Sequence, residues 1–130
     1  MATSNDAIKR AALGRIAPGL AWSKAGQTTF SSPTGTVHAR FKSDGPFSFN
    51  INPATLRADY ELWICGKESL YYLLPREVVK EIYSHPGAYV DARHPEIRVV
   101  SVDAAHHRGT FAGGGESLDL RPYFQAQFQR

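Results

Sequence analysis

The sequence predicts an α+β fold: an N-terminal helix, a central, mainly antiparallel sheet of about five strands, a second helix, then a further strand and hairpin. Three observations predict it. Apolar residues recur at helical spacing in only two stretches, around residues 8–16 and 78–83. Between residues 28 and 74 the apolar positions follow a period of two. Proline, glycine, asparagine and aspartate cut that middle into short segments. A length of 130 residues suits a single domain around one hydrophobic core.

The elements follow in order. Asn5 or Ser4 caps a helix that runs to about Ile16, with Ile8, Ala12 and Ile16 on one face and Lys9 and Arg15 turned away. Pro18-Gly19 ends it, and residues 19–27 read as a loop or irregular strand. Residues 28–32 and 36–42 form a hairpin about the turn Ser32-Pro33-Thr34-Gly35. Phe47, Phe49 and Ile51 alternate with Ser48, Asn50 and Asn52 as a third strand, and residues 60–65 and 69–74 supply a fourth and fifth. Pro75 sits near the first helical position of a helix whose stripe is Val78, Val79, Ile82 and Tyr83, stopped at His85-Pro86-Gly87. Residues 87–95 are loop-like. Residues 97–102 form another strand, and 109–112 with 117–120 form a late hairpin about Gly113-Gly114-Gly115.

Composition narrows the functional classes. A hydrophobic fraction of 42% with 21% charged residues is that of an ordinary globular chain, not a disordered one. The longest apolar runs, such as Leu70-Tyr71-Tyr72-Leu73-Leu74, fall far short of the roughly 20 residues that cross a bilayer. The first residues lack the basic-then-apolar pattern of a secretory signal, and Cys65 has no second cysteine to pair with. A cytoplasmic location and no membrane partner are therefore expected. Charge is uneven: residues 1–58 hold seven basic and two acidic residues, a net of +5, and the remainder nets −2. That asymmetry is expected of a side facing a polyanion, although scattered solvating charges give the same count.

The most informative pattern is His38, Arg40 and Lys42 on one face of the second strand, with Val37, Ala39 and Phe41 on the other. Successive residues on one strand face lie about 6.6 Å apart, so this basic stripe is a candidate nucleic-acid contact, joined by Lys24 and Arg57. Trp22, Trp63 and Tyr60 are candidates for a base pocket, since aromatic faces beside cations stack unpaired bases. The competing reading puts the tryptophans in the core. Asp59 and Glu61 flank Tyr60 on one strand face, an arrangement that near a lysine can hold Mg²⁺, or else a solvated strand edge. Asp91 with His94 and Asp103 with His106 share a spacing but lie in no evident helix and lack cysteines, so no metal site is expected. His106-His107-Arg108 is a further phosphate contact in principle. The Gly113–115 run lacks the ending of a phosphate cradle, and Cys65 has no identifiable catalytic partners.

Over residues 36–79 the order of elements resembles the PD-(D/E)XK nuclease fold, particularly its small intron-associated and restriction-type members. The resemblance rests on Arg40-Phe41-Lys42-Ser43 at the metal-and-lysine strand, the strand from Phe47, Asp59-Tyr60-Glu61-Leu62-Trp63-Ile64, and Leu70-Tyr71-Tyr72-Leu73-Leu74 running through Pro75 into a helix. Two positions depart from the family pattern. Arg40 stands where the family has a metal-binding Glu or Gln, and residues 28–32 carry no Asp. Only Lys42 transfers. The resemblance therefore implies a member that keeps a nucleic-acid-facing sheet without cleavage chemistry, similar to the DNA-reading modules attached to HNH-type, modification-dependent restriction nucleases.

The leading expectation is a non-catalytic DNA-binding domain needing no cofactor, a specificity or modification-sensing module associated with or fused to a defence nuclease. The first alternative is a divergent Mg²⁺-dependent endonuclease using Lys42 with Asp59, Glu61 or Asp44. The second is a protein-interaction module such as an antitoxin or phage inhibitor, docking through the late hairpin and Leu118 to Phe124.

Overall fold

The computed structural model describes residues 5–26, 28–45, 47–51, 57–84, 89–90, 98–111 and 117–127. The fold is α+β, as the sequence predicts. Helix α1 spans Asn5–Ile16, and strands β1 (Ser23–Lys24), β2 (Thr29–Ser32), β3 (Gly35–Lys42), β4 (Phe47–Ile51), β5 (Tyr60–Cys65) and β6 (Tyr71–Pro75) follow. Helix α2 (Arg76–Ser84), β7 (Tyr89–Val90), β8 (Arg98–Asp103), β9 (Arg108–Phe111) and β10 (Ser117–Asp119) complete it, with a 3-10 turn at Arg121–Tyr123. The glycine run 113–115, the Asp91–His94 pair, the connection 52–56 and the helix stop at 85–87 lie outside the described residues.

The strands divide between two sheets, which the sequence reading did not separate. The first has the order β1-β2-β3-β5-β6. Its β3 and β5 run parallel and all its other pairs are antiparallel. The second has the order β10-β9-β8-β4, with β7 also paired to β8. Strand β4 therefore leaves the sheet of its sequence neighbours and pairs antiparallel with β8, Phe49 opposite Val100.

Alternation of side chains along the first sheet builds two cores on its two faces. Val37, Ala39, Leu62, Ile64, Tyr71 and Leu73 pack with Phe30 against the stripe Ala12, Leu13 and Ile16 of α1. On the opposite face Trp63, Cys65, Tyr72 and Leu74 meet Phe49, Val100 and Val102 of the second sheet, Leu120 just after β10 and Val79 of α2. Such a sheet, buried on both sides, explains why β5 and β6 read as nearly continuous apolar runs. Burial of this kind contributes about 1.5–3 kcal/mol for each large side chain removed from water. Turns close where geometry demands: Gly66, at φ +91°, reverses the chain between β5 and β6 and donates its N–H to the Lys42 carbonyl.

The C-terminal segment is bound into this body. Tyr72 of β6 hydrogen-bonds His107 Nδ1 at 2.8 Å, and Phe124 packs against both rings. Burial pushes the Tyr72 phenol up to about 12, so it stays protonated. Leu120 is fully buried, and Leu118, Tyr123 and Phe124 pack against the core. Most of the apolar surface considered for docking a protein partner is thus used internally.

Candidate anion-binding site

Strand register decides which of the candidate residues meet. Across the parallel ladder His38 lies opposite Glu61, Arg40 opposite Trp63 and Lys42 opposite Cys65. All six point away from α1, because their neighbours Val37, Ala39, Leu62 and Ile64 fill the α1-side core. The basic stripe is therefore real as a face. It is not a row of solvated cations.

Glu61 is its hub. His38 Nδ1 donates to Glu61 Oε2 at 2.6 Å, and Arg40 Nε donates to Glu61 Oε1 at 2.8 Å. The side chains of Glu61, His38 and Arg40 are 2%, 14% and 22% exposed. A carboxylate this deeply buried needs compensating donors, and the two neighbours on β3 supply them. The carboxylate accepts, which places a proton on His38 Nδ1. Arg40 uses only Nε in this contact, and its guanidinium meets no other protein acceptor among the described residues. Among the described residues its two terminal amino groups meet no acceptor, and together they form a fork of donors.

Beside Arg40 a cleft of about 340 Å³ opens between β3 and β4, lined by Arg40, Phe41, Lys42, Ser48, Phe49 and Asn50. Lys42 and Asn50 are exposed at its mouth. Ser48 bridges to Ser101 at 3.0 Å, which fixes its hydroxyl beside the cleft. Strand β4 is the edge of its sheet, so one side of its backbone carries unpaired groups among the described strands. Phe49 contributes no stacking face, for its ring is 3% exposed and stacked on Trp63 at 5.2 Å. Arg40 and Lys42 are the two cations that line the cleft, and Glu61 lies behind Arg40.

A larger cleft, of about 400 Å³, lies between the end of α1 and the C-terminal segment. Three of its polar side chains hold the tail in place: Tyr71 donates its hydroxyl to the Ala126 carbonyl, Gln125 donates to Ser69 O and Gln127 donates to Arg15 O.

The remaining candidates are dispersed. Lys24 pairs with Phe30, a residue of the α1-side core, and so lies on the far face of the sheet from the stripe. Arg57 precedes β5 and sits beyond the Tyr60–Val37 pair, which lies five residues, on the order of 16 Å, from the Lys42–Cys65 pair. Trp22 and Tyr60 pack on the α1 side, and Trp63 is fully buried on the other. These three aromatics do not converge on one pocket, and Trp63 presents no surface to a base.

Asp59 is exposed and closes the start of β3, its Oδ2 accepting from the Thr36 N–H and hydroxyl at 2.9 and 3.2 Å. Lys42 lies four residues, on the order of 13 Å, along the ladder from Glu61, and Asp59 is farther still. The trio Lys42, Asp59 and Glu61 is therefore not gathered around a shared point. No group of three or more His, Cys, Asp or Glu side chains able to hold a metal occurs among the described residues. Asp103 bonds His106 Nδ1 at 2.8 Å and the backbone N–H groups of residues 105 and 106, which makes this pair a turn device. Burial pushes the Cys65 thiol up to about 12, leaving it unreactive.

Sequence reasoning missed Glu61 as a hub and Ser48 and Asn50 as a wall. The first had a readable trace: one acidic residue in an otherwise apolar strand, near two cations on a neighbouring strand. The second had none, since β4 reaches β3 only through the second sheet. No helix among the described residues is long and apolar enough to cross a membrane. No family model, curated protein or solved structure matches this chain.

Proposed function

We propose that this chain is a non-catalytic nucleic-acid-binding domain that grips the phosphate backbone at the β3–β4 cleft. The observation that carries this reading is the guanidinium of Arg40, pinned through Nε to buried Glu61 and lining, with Lys42, a cleft that Asn50 and Ser48 also line. Planar, pre-oriented guanidinium donors suit a phosphate oxyanion better than scattered lysines do. Binding without cleavage is favoured by the commitments of the carboxylates: Glu61 serves His38 and Arg40, and Asp59 serves Thr36.

The reading makes the salt dependence shallow. Five independent phosphate contacts would give a slope of log affinity against log salt of about −4.5 on duplex DNA. Arg40 and Lys42 can neutralise at most two phosphates, so a slope no steeper than about −1.8 on duplex, or about −1.4 on single strands, is expected. Fluorescence anisotropy with labelled oligonucleotides between 20 and 200 mM salt, roughly a Debye length of 20 to 7 Å, measures it. Lys42→Ala should weaken binding and flatten the slope further. Failure of both duplex and single-stranded DNA to bind at the lowest salt would refute the proposal. Metal-dependent nicking that disappears in Lys42→Ala would replace it with an endonuclease.

A further inference from the structure

Depth separates the two cations of the cleft, and that difference bears on which form of nucleic acid they can reach. Lys42 is exposed, whereas Arg40 is 22% exposed and lies beside the β4 edge with Glu61 beneath it. We infer that the ligand is a single strand, that one of its phosphodiesters enters the cleft, and that Glu61 is a positioning residue that aims Arg40 at it. The inference rests on the reading of this cleft as a nucleic-acid site and deepens it.

Three features argue for a single strand. First, a duplex is a stiff rod whose phosphates meet only what protrudes from a protein, so it reaches Lys42 but not a recessed guanidinium. A single strand bends, and one of its phosphates can enter a cleft of about 340 Å³, near the lower end of small-ligand sites. Second, only Arg40 and Lys42 among the residues lining the cleft are cationic, too few to hold the row of phosphates a duplex presents. Third, the edge of β4, unpaired among the described strands, carries backbone N–H groups that can donate to phosphate and sugar oxygens. Of the two aromatics in the lining, Phe49 is stacked on Trp63 and Phe41 is partly buried against the α1-side core. Recognition therefore runs through the backbone and is indifferent to base identity.

Glu61 acts through Arg40. Its carboxylate fixes Nε of Arg40, a residue that lines the cleft. Two substitutions separate this positioning from simple charge. Glu61→Gln keeps an oxygen acceptor for Nε and removes a negative charge, so affinity should hold or rise. Glu61→Leu removes the same charge and the acceptor together, so affinity should fall, by about tenfold if one charge-assisted contact is lost. An electrostatic effect alone would make both variants bind more tightly.

The test is anisotropy at 20 mM salt with a labelled dT oligonucleotide, a dA oligonucleotide of equal length and their duplex. The proteins are the wild type, Glu61→Gln, Glu61→Leu, Asn50→Asp and, as a control away from the cleft, Lys80→Ala, each checked for folding by circular dichroism. Expected are equal binding of the two single strands, weaker binding of the duplex, loss in Asn50→Asp, and opposite responses of the two Glu61 variants. Asn50 is exposed, so Asn50→Asp tests the cleft even if Glu61→Leu does not fold. Duplex binding as tight as single-strand binding overturns this inference and leaves the broader one standing. Tighter binding by a folded Glu61→Leu overturns the positioning role. No binding to any oligonucleotide overturns both readings.

Discussion

Replacing Glu61 with leucine should unfold this protein far more readily than a single surface charge change would, and the geometry sets the scale. Glu61 accepts hydrogen bonds from His38 and Arg40 within a site where it is 2% exposed. Removing one partner of a fully buried ion pair costs about 3–5 kcal/mol, because the other charge stays behind unpaired. Here the stranded partners keep some contact with water, at 14% and 22% exposure, which lowers the expected cost to about 2–3 kcal/mol. For a chain of 130 residues that corresponds to a fall in Tm of about 10 °C. Urea unfolding followed by tryptophan fluorescence gives the free energy, and an unchanged m-value confirms that the transition is the same one. The decisive measurement is the double variant Glu61→Leu with Arg40→Met. If the two residues act as a pair, adding the second change restores stability toward the wild type, with a coupling of about 2 kcal/mol. A Glu61→Leu cost below about 0.5 kcal/mol, or strictly additive changes, would refute the hub.

Two other predictions concern the frame. Because the folded Cys65 thiol ionises only near 12 and the unfolded one at an ordinary 9.0, the unfolded state releases a proton that the folded state keeps. Stability is then fully present below pH 9 and falls above it by about 1.4 kcal/mol per pH unit. Urea midpoints at pH 8 and pH 10 should show this loss in the wild type and a smaller one in Cys65→Ala. The glycines of α1 and of the β5–β6 turn should respond in opposite directions. Gly14 is helical with open space where a Cβ would stand, so Gly14→Ala should stabilise by about 0.5–1 kcal/mol. Gly66 has a φ of +91°, so Gly66→Ala should destabilise by about 1 kcal/mol or more, both read as shifts in thermal midpoint.

Which parts of this design could be read from sequence follows from the range of the interactions involved. The hairpin of β2 and β3, strand β5 and the start of α2 were legible because their determinants are local: alternation, a Pro-Thr-Gly turn, a proline at a helix start. Sheet membership was not. Phe47, Phe49 and Ile51 announce a strand, but nothing in them names β8 as their partner. The faces were legible and their meanings were not. Alternation put His38, Arg40 and Lys42 together correctly, yet whether those cations faced water depended on Glu61, which the parallel ladder delivers from 21 and 23 residues away. The same ladder carries Lys42 away from Asp59 and Glu61, a separation fixed by register, and register between parallel strands has no local signature. Trp63 was ambiguous for a related reason, because its sheet face is core only where the second sheet lies over it.

Strand β4 also imposes an order on folding. Its partner β8 lies about fifty residues further along the chain, Ser48 meeting Ser101 across 53 positions. At a synthesis rate of roughly 5–20 residues per second, β4 waits several seconds for that partner to emerge. Throughout that interval Phe49 and the Trp63 face of the first sheet have nothing to cover them, and both edges of β4 are open. The first sheet with α1 can close early from largely local contacts, whereas the second sheet closes last, and the cleft between them exists only once it has. A nascent or partly unfolded chain is thus most exposed to mispairing at the strand that later forms one wall of the site.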